Sequence, residues 1–148
     1  MSDEFDLARF VQAQESGDTY AHALDELRTG RKVSHWMWFV FPQYAGLGRS
    51  PMAQRYAIRS RREAAAYLDH EVLGARLREC CTVLESLPHP SAEKIFGGID
   101  AVKLRSSMTL FAQVAPQEEI FGRILAAYFS GVSDPATLQL LAADDDAP

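Results

Sequence analysis

The sequence predicts an all-α fold, a compact single-domain bundle of about seven helices. Three observations carry this. Apolar residues recur every three or four positions through each long segment. Ser, Asp, Pro and Gly punctuate those segments at helix-like lengths. Strict apolar–polar alternation appears only weakly, in HWMWFVF (35–41). No repeat or composition break divides the chain, so one domain is expected over residues 1–142, followed by a disordered acidic tail, 143–148.

In DLARFVQAQ (6–14), Leu7, Phe10, Val11 and Gln14 share one helical face, which makes Gln14 an interior amide in need of partners. After the turn ESGD, Asp18 or Thr19 can cap a helix with Tyr20, Leu24 and Leu27 inward and Gly30 just past its end. WMWFVF has β-propensity, but a lone strand has nothing to pair with. A short buried helix begun at Ser34 and stopped before Pro42 is more economical. Ser60-Arg-Arg-Glu63 has the capping-box pattern and opens a helix through AAAYLDH. The next helix carries Val72, Leu73, Leu77, Cys80 or Cys81, and Leu84 inward, and ends before Pro88, His89 and Pro90, a loop. SAEKIFGG is a single helical turn ended by glycines, and from Ile99 a helix follows with Leu104, Met108 and Phe111 on one stripe. Pro116 supplies a helix start with Glu118 and Glu119 in its first turn, Ile120 to Phe129 as its apolar part and Gly131 at its end. Asp134-Pro135 opens a last helix over Thr137 to Leu141.

Composition narrows the function classes. With 47% hydrophobic and 24% charged residues, the 148-residue chain has an ordinary globular balance. No apolar run approaches the ~18 residues of a membrane span, and the acidic start MSDEFDLARF lacks signal-peptide order, so a cytoplasmic protein is expected. Cys80 and Cys81 are adjacent, and consecutive helical positions point roughly 100° apart, so at most one faces the core squarely. They read as small buried hydrophobes. The nucleotide, hydrolase and zinc signatures GxxxxGK[ST], GxGxxG, GxSxG, HExxH and CxxC are all missing, and the four histidines have no i,i+4 spacing. Neither a metal site nor a cofactor is expected. Net charge is −5, yet Leu27 to Arg62 contains no acidic residue and eight of the fifteen basic ones, so that window is +8 and the remainder −13. Such segregation points to an anionic partner or to internal pairing, while the acidic total disfavours general nucleic-acid binding.

Two constellations carry chemistry. The first is Arg31, Lys32, His35, Trp36, Trp38 and Gln43, in which rings beside cations can stack a planar group and hold a phosphate or carboxylate. His35 is the best-placed candidate acid/base. The second is Asp100, Lys103, Ser106 and Ser107, where positions 100, 103 and 107 share a helix face opposite Leu104, Met108 and Phe111. A lysine flanked by a carboxylate and a hydroxyl can activate a nucleophile or bind an anion. His35, Asp100, Lys103 and Ser107 are thus the candidate catalytic residues, and Arg31, Lys32, His35, Trp36, Trp38, Gln43 and Lys103 the candidate ligand-binding ones.

With FDLARFVQAQ, ALDELRTGRKVSHWMWFVFPQYAGLGRSPMAQRYAI, EAAAYLDHEVLGARL and IFGGIDAVKLRSSMTLFA in view, the chain resembles the bacterial family known as domain of unknown function 1810. The resemblance runs in order from Phe5 to about Leu141. It implies a mainly helical single domain and brings no established activity, so no catalytic residue carries over. Members sometimes bear the label "calpastatin", but calpastatin is a long disordered repeat protein, whereas this chain is short and core-forming. The expected function is therefore binding of, or catalysis on, a small anionic, aromatic, nucleotide-like metabolite near HWMWFVFPQ. The alternative is a protein-interaction or oligomer-forming domain in which aromatics and the arginines of 49–62 meet an acidic partner.

Overall fold

The computed structural model describes residues 3–88 and 90–145, and the molecule is all-α as expected. Among the described residues there are nine helices: α1 (Ala8–Glu15), α2 (Thr19–Thr29), α3 (Met37–Val40), α4 (Pro51–Arg55), α5 (Arg61–Asp69), α6 (Leu73–Ser86), α7 (Ala92–Val114), α8 (Ile120–Phe129) and α9 (Pro135–Asp145). The extra short helix is α4, opened by Ser50, whose Oγ accepts from the Ala53 N–H at 3.1 Å, with Pro51 at the first position. The expected loop around His89 lies outside the described residues.

Helix α7 is the axis, packed by α5, α8 and α9, while α6 lies against α2, α5 and α8. Rings of Phe10, Tyr67, Phe111 and Phe121 run through the core in sequence, with centroids 5.1, 5.6 and 5.7 Å apart. Gln14 is buried beside them and satisfied: its Nε2 donates to the Phe39 carbonyl at 2.7 Å and its Oε1 accepts from Arg76 at 3.1 Å. Both cysteines are fully buried, the small interior hydrophobes expected, because α6 has neighbours on three sides. Burial pushes the Cys80 thiol up to about 12 and the Cys81 thiol well above its ordinary value, so neither supplies a thiolate near neutral pH.

Several ends differ from expectation for identifiable reasons. Asp18 adopts a left-handed backbone (φ +56°), so neither it nor Thr19 caps α2 with a side chain. Helix α8 begins at Ile120 rather than at Pro116. Residues 116–119 form turns, and Glu118 is drawn to Arg78 Nε at 2.6 Å. The part of the expected disordered tail that can be described, residues 143–145, continues α9, and Asp144 accepts from the Arg61 N–H at the start of α5 at 3.1 Å. Residues 146–148 lie outside the described residues.

One buried ion pair ties the N-terminal helix to the middle of the chain. Arg9 Nη2 meets Glu63 Oε2 at 2.8 Å, and the remaining N–H groups of Arg9 go to the carbonyls of Phe5, Asp6, Arg55 and Ala57. Glu63 also accepts from the Arg59 N–H at 2.9 Å, while its own N–H donates to Ser60 Oγ, a capping box displaced by one residue. This fixes the path of residues 55–59. Arg9→Met or Glu63→Gln leaves a buried charge without its partner and is expected to cost about 3–5 kcal/mol. Urea unfolding measures this, and the Arg9→Met/Glu63→Met double variant should lose less than either single change.

Candidate functional site

The site starts at the end of α2. Gly30 (φ +82°) closes the helix, its N–H donating to the Leu27 carbonyl and that of Arg31 to Glu26, and the chain folds back over the Glu26 side chain. That carboxylate accepts four hydrogen bonds: from the N–H groups of Val33 (2.7 Å) and Ser34 (3.0 Å), from Ser34 Oγ (2.5 Å) and from Trp36 Nε1 (2.9 Å). The Lys32 N–H donates to the Ile95 carbonyl of α7 at 2.7 Å. Trp36 is thereby driven fully into the core, among Phe41 and Phe96.

From the other side, α7 breaks at Gly97 (φ +78°, ψ 167°), a backbone that a side-chain-bearing residue rarely adopts. Phe96 turns inward, and the helix resumes with Asp100 near its new start. Asp100 Oδ2 meets Lys32 Nζ at 2.8 Å and Oδ1 meets Lys103 Nζ at 3.4 Å. The Lys32 ammonium also donates to the Ser34 carbonyl at 2.5 Å and lies 4.9 Å from the Trp36 ring; that of Lys103 lies 4.7 Å from the Trp38 ring. Lys32, His35, Met37, Trp38, Phe96 and Asp100, with the backbone of Gly97 to Ile99, line a cavity of about 380 Å³. The two constellations separated in sequence therefore meet through Asp100, with Lys103 beside the cavity and not among its lining residues.

Not every expected residue joins them. Trp36 is a core anchor and not a wall. Arg31 is exposed, and Ser107 is fully buried, its Oγ without a partner. Ser107 does not share the open face of Asp100 and Lys103 because α7 is covered on several sides there. Ser106 bonds to the Val102 carbonyl and to Asp134. Gln43 lines a neighbouring cavity of about 100 Å³ with Trp38, Tyr44, Gln54, Tyr56 and Arg59. Its floor is an isolated parallel bridge, in which the Ile58 N–H donates to the Gln43 carbonyl at 2.9 Å and that of Ala45 to Ile58 at 2.8 Å. Its rim includes Gly48, where a Cβ would come within 2.6 Å of Ala53 Cβ. The bridge follows the tryptophan segment, in which Met37–Val40 form the short helix that was expected.

Of the eight cations in the acid-free window, Arg28 pairs with Asp25, Lys32 with Asp100 and Arg62 with Glu4. Arg31, Arg49, Arg55 and Arg59 make no ion pair with the described residues. Sequence reasoning missed Glu26, which carries no motif, and Tyr56 and Arg59, which only the fold brings to Trp38. The Gly97-Gly98 pair was the available signal for the α7 break.

A family model described as "Protein of unknown function (DUF1810)" matches residues 4–141. The chain belongs to this family. The crystal structure of the conserved hypothetical protein Rv1873 from Mycobacterium tuberculosis is similar to it. The two are 51% identical with a TM-score of 0.91, over 95% of this chain and 99% of that one. No curated protein matches the chain. No helix among the described residues is long and apolar enough to cross a membrane.

Partial burial pushes the Glu26 carboxyl up, but the hydrogen bonds from Ser34, Val33 and Trp36 outweigh it and hold it at about 2, against an ordinary 4.5. A depressed folded-state value stabilises above the unfolded value and is lost as pH falls through the folded one. Fluorescence-monitored acid unfolding should therefore show stability draining between about pH 4.5 and 2. Glu26→Gln should be less stable at neutral pH by roughly 1–3 kcal/mol, with a flatter acid limb. An unchanged acid limb would count against this role.

Proposed function

We propose that this domain binds a small anionic ligand carrying a planar ring, nucleotide-like in chemistry, in the cavity between residues 32–38 and the resumed helix of α7. The supporting observation is that Lys32 and Lys103, distant in the chain, share the single carboxylate of Asp100 beside Trp38. Two ammonium groups against one carboxylate leave positive charge in a partly desolvated place, where a phosphate gains more than in open water. The backbone N–H groups that open the helix after Gly97 add to it along the same wall. Met37, Phe96, Ile99 and Trp38 supply apolar surface for a ring, and His35 stands exposed at the lip. Asp100 is committed to both ammonium groups, so the reading is binding rather than catalysis.

Saturation at a hundred times Kd stabilises a fold by about 2.7 kcal/mol, which for a chain of this size raises the melting temperature by roughly 5–10 °C. A thermal-shift series with nucleoside mono- and diphosphates should find such a compound, and Lys103→Ala should abolish its effect. If no nucleotide-class compound moves the melting temperature of the native protein, the reading fails.

A second reading, an interaction surface, rests on Val33, Ile99 and Val102, which stay 73%, 78% and 62% exposed near the cavity. It expects concentration-dependent association in light scattering that Ile99→Asp abolishes. A monomer at all concentrations and at low salt removes self-association.

A further inference from the structure

The smaller cavity that shares Trp38 is chemically unlike the rest of the molecule. Arg59 is the charged group among its described lining residues, and no carboxylate is among them. Part of its polar lining is already bonded: Gln54 Nε2 donates to the Arg49 carbonyl at 2.8 Å and the Tyr44 hydroxyl to the Arg59 carbonyl at 3.4 Å. The Gln43 side-chain amide makes no hydrogen bond with the described residues. Tyr56, whose ring is buried against Phe10 and Phe39, has a hydroxyl with no partner there, and Arg59 spends one side-chain bond on the Gln54 carbonyl at 3.3 Å. Gln14, by contrast, is bonded through both its oxygen and its nitrogen. The half-buried Gln43 amide lines the cavity with its donor and acceptor open to a partner from outside.

We infer that the ligand is a nucleoside diphosphate, its base seated against Gln43, Tyr56 and Arg59 and its phosphates held by Lys32 and Lys103, with Trp38 as the wall between. This rests on the anion site proposed above and names its ligand class. A side-chain amide offers a donor and an acceptor in one plane, the pattern that pairs with a base edge, and a guanidinium donates to ring nitrogens or carbonyls. Asp100 stands at the phosphate end, where its single charge is outnumbered by the Lys32 and Lys103 ammonium groups. About 100 Å³ takes a flat ring and about 380 Å³ the charged remainder, and together they fall within the range of small-molecule sites. The shape of the smaller cavity is held by Gly48 lying against Ala53 on one rim and by Arg9 holding the carbonyls of Arg55 and Ala57 on the other.

Isothermal titration calorimetry with ADP, GDP, UDP, CDP and inorganic pyrophosphate tests this on the native protein and on Gln43→Ala, Arg59→Met and Lys103→Ala, with circular dichroism confirming that each is folded. At least one nucleoside diphosphate should bind about tenfold or more tighter than pyrophosphate, the worth of one good polar contact. Gln43→Ala or Arg59→Met should erase that advantage while leaving pyrophosphate binding unchanged, and Lys103→Ala should weaken both probes. If no nucleotide outbinds pyrophosphate, or if both cavity variants leave the ratio intact, the base does not sit there and this inference is overturned while the anion site stands. If neither pyrophosphate nor any nucleotide binds, both fall.

Discussion

The carboxylate of Glu26 organises the part of the molecule where its chemistry is concentrated. By accepting from two backbone N–H groups, a hydroxyl and an indole, it turns a loop rich in side-chain freedom into a fixed edge. Without it, Trp36 would bury an unpaired N–H in the core, a cost of roughly 1–3 kcal/mol. Lys32 leaves this edge at one defined point, and only because of that does its ammonium reach Asp100. The acceptor belongs to α2, the rings to α3 and the preceding loop, and the second lysine to α7. One hydrogen-bonded carboxylate thus couples three elements.

The Arg9–Glu63 pair plays the corresponding part on the far side of Trp38. Its charge is buried, and nearly every donor of the guanidinium is spent on backbone carbonyls that no helix or sheet satisfies. Residues 55–59 are held in this way against the end of the tryptophan segment, where Ile58 bonds to Gln43 and Ala45. Two carboxylates therefore brace the segments on either side of Trp38. The charge segregation seen along the chain is resolved unevenly: some of the basic window is neutralised internally, while Arg31, Arg49, Arg55 and Arg59 make no ion pair among the described residues.

Much of the architecture was legible in the residues. Ser60 and Asp134 stand where caps were expected, accepting from the N–H groups of Glu63 and Thr137 respectively. Gly30 and Gly131 end helices in left-handed conformations, and Gln14 is the satisfied interior amide its position implied. The short helix from Met37 to Val40 occupies part of the stretch whose periodicity was ambiguous. The site was half legible. Lys32, His35, Trp38 and Asp100 were named and do line one cavity. Trp36 and Ser107 were named and are buried, because a two-residue shift along a four-residue helix, or one further turn of α7, exchanges a wall for a core.

The sequence by itself determined the helical period and caps such as Ser60 and Asp134, since each depends on residues within a turn or two of one another. Only the tertiary structure decided which tryptophan is buried, which cations find carboxylates, and that Lys32, Asp100 and Lys103 form one cluster. Those outcomes depend on how α2, α3 and α7 are placed against each other. That placement follows from packing and from single hydrogen-bonding groups such as Glu26, for which chain spacing carries no signature.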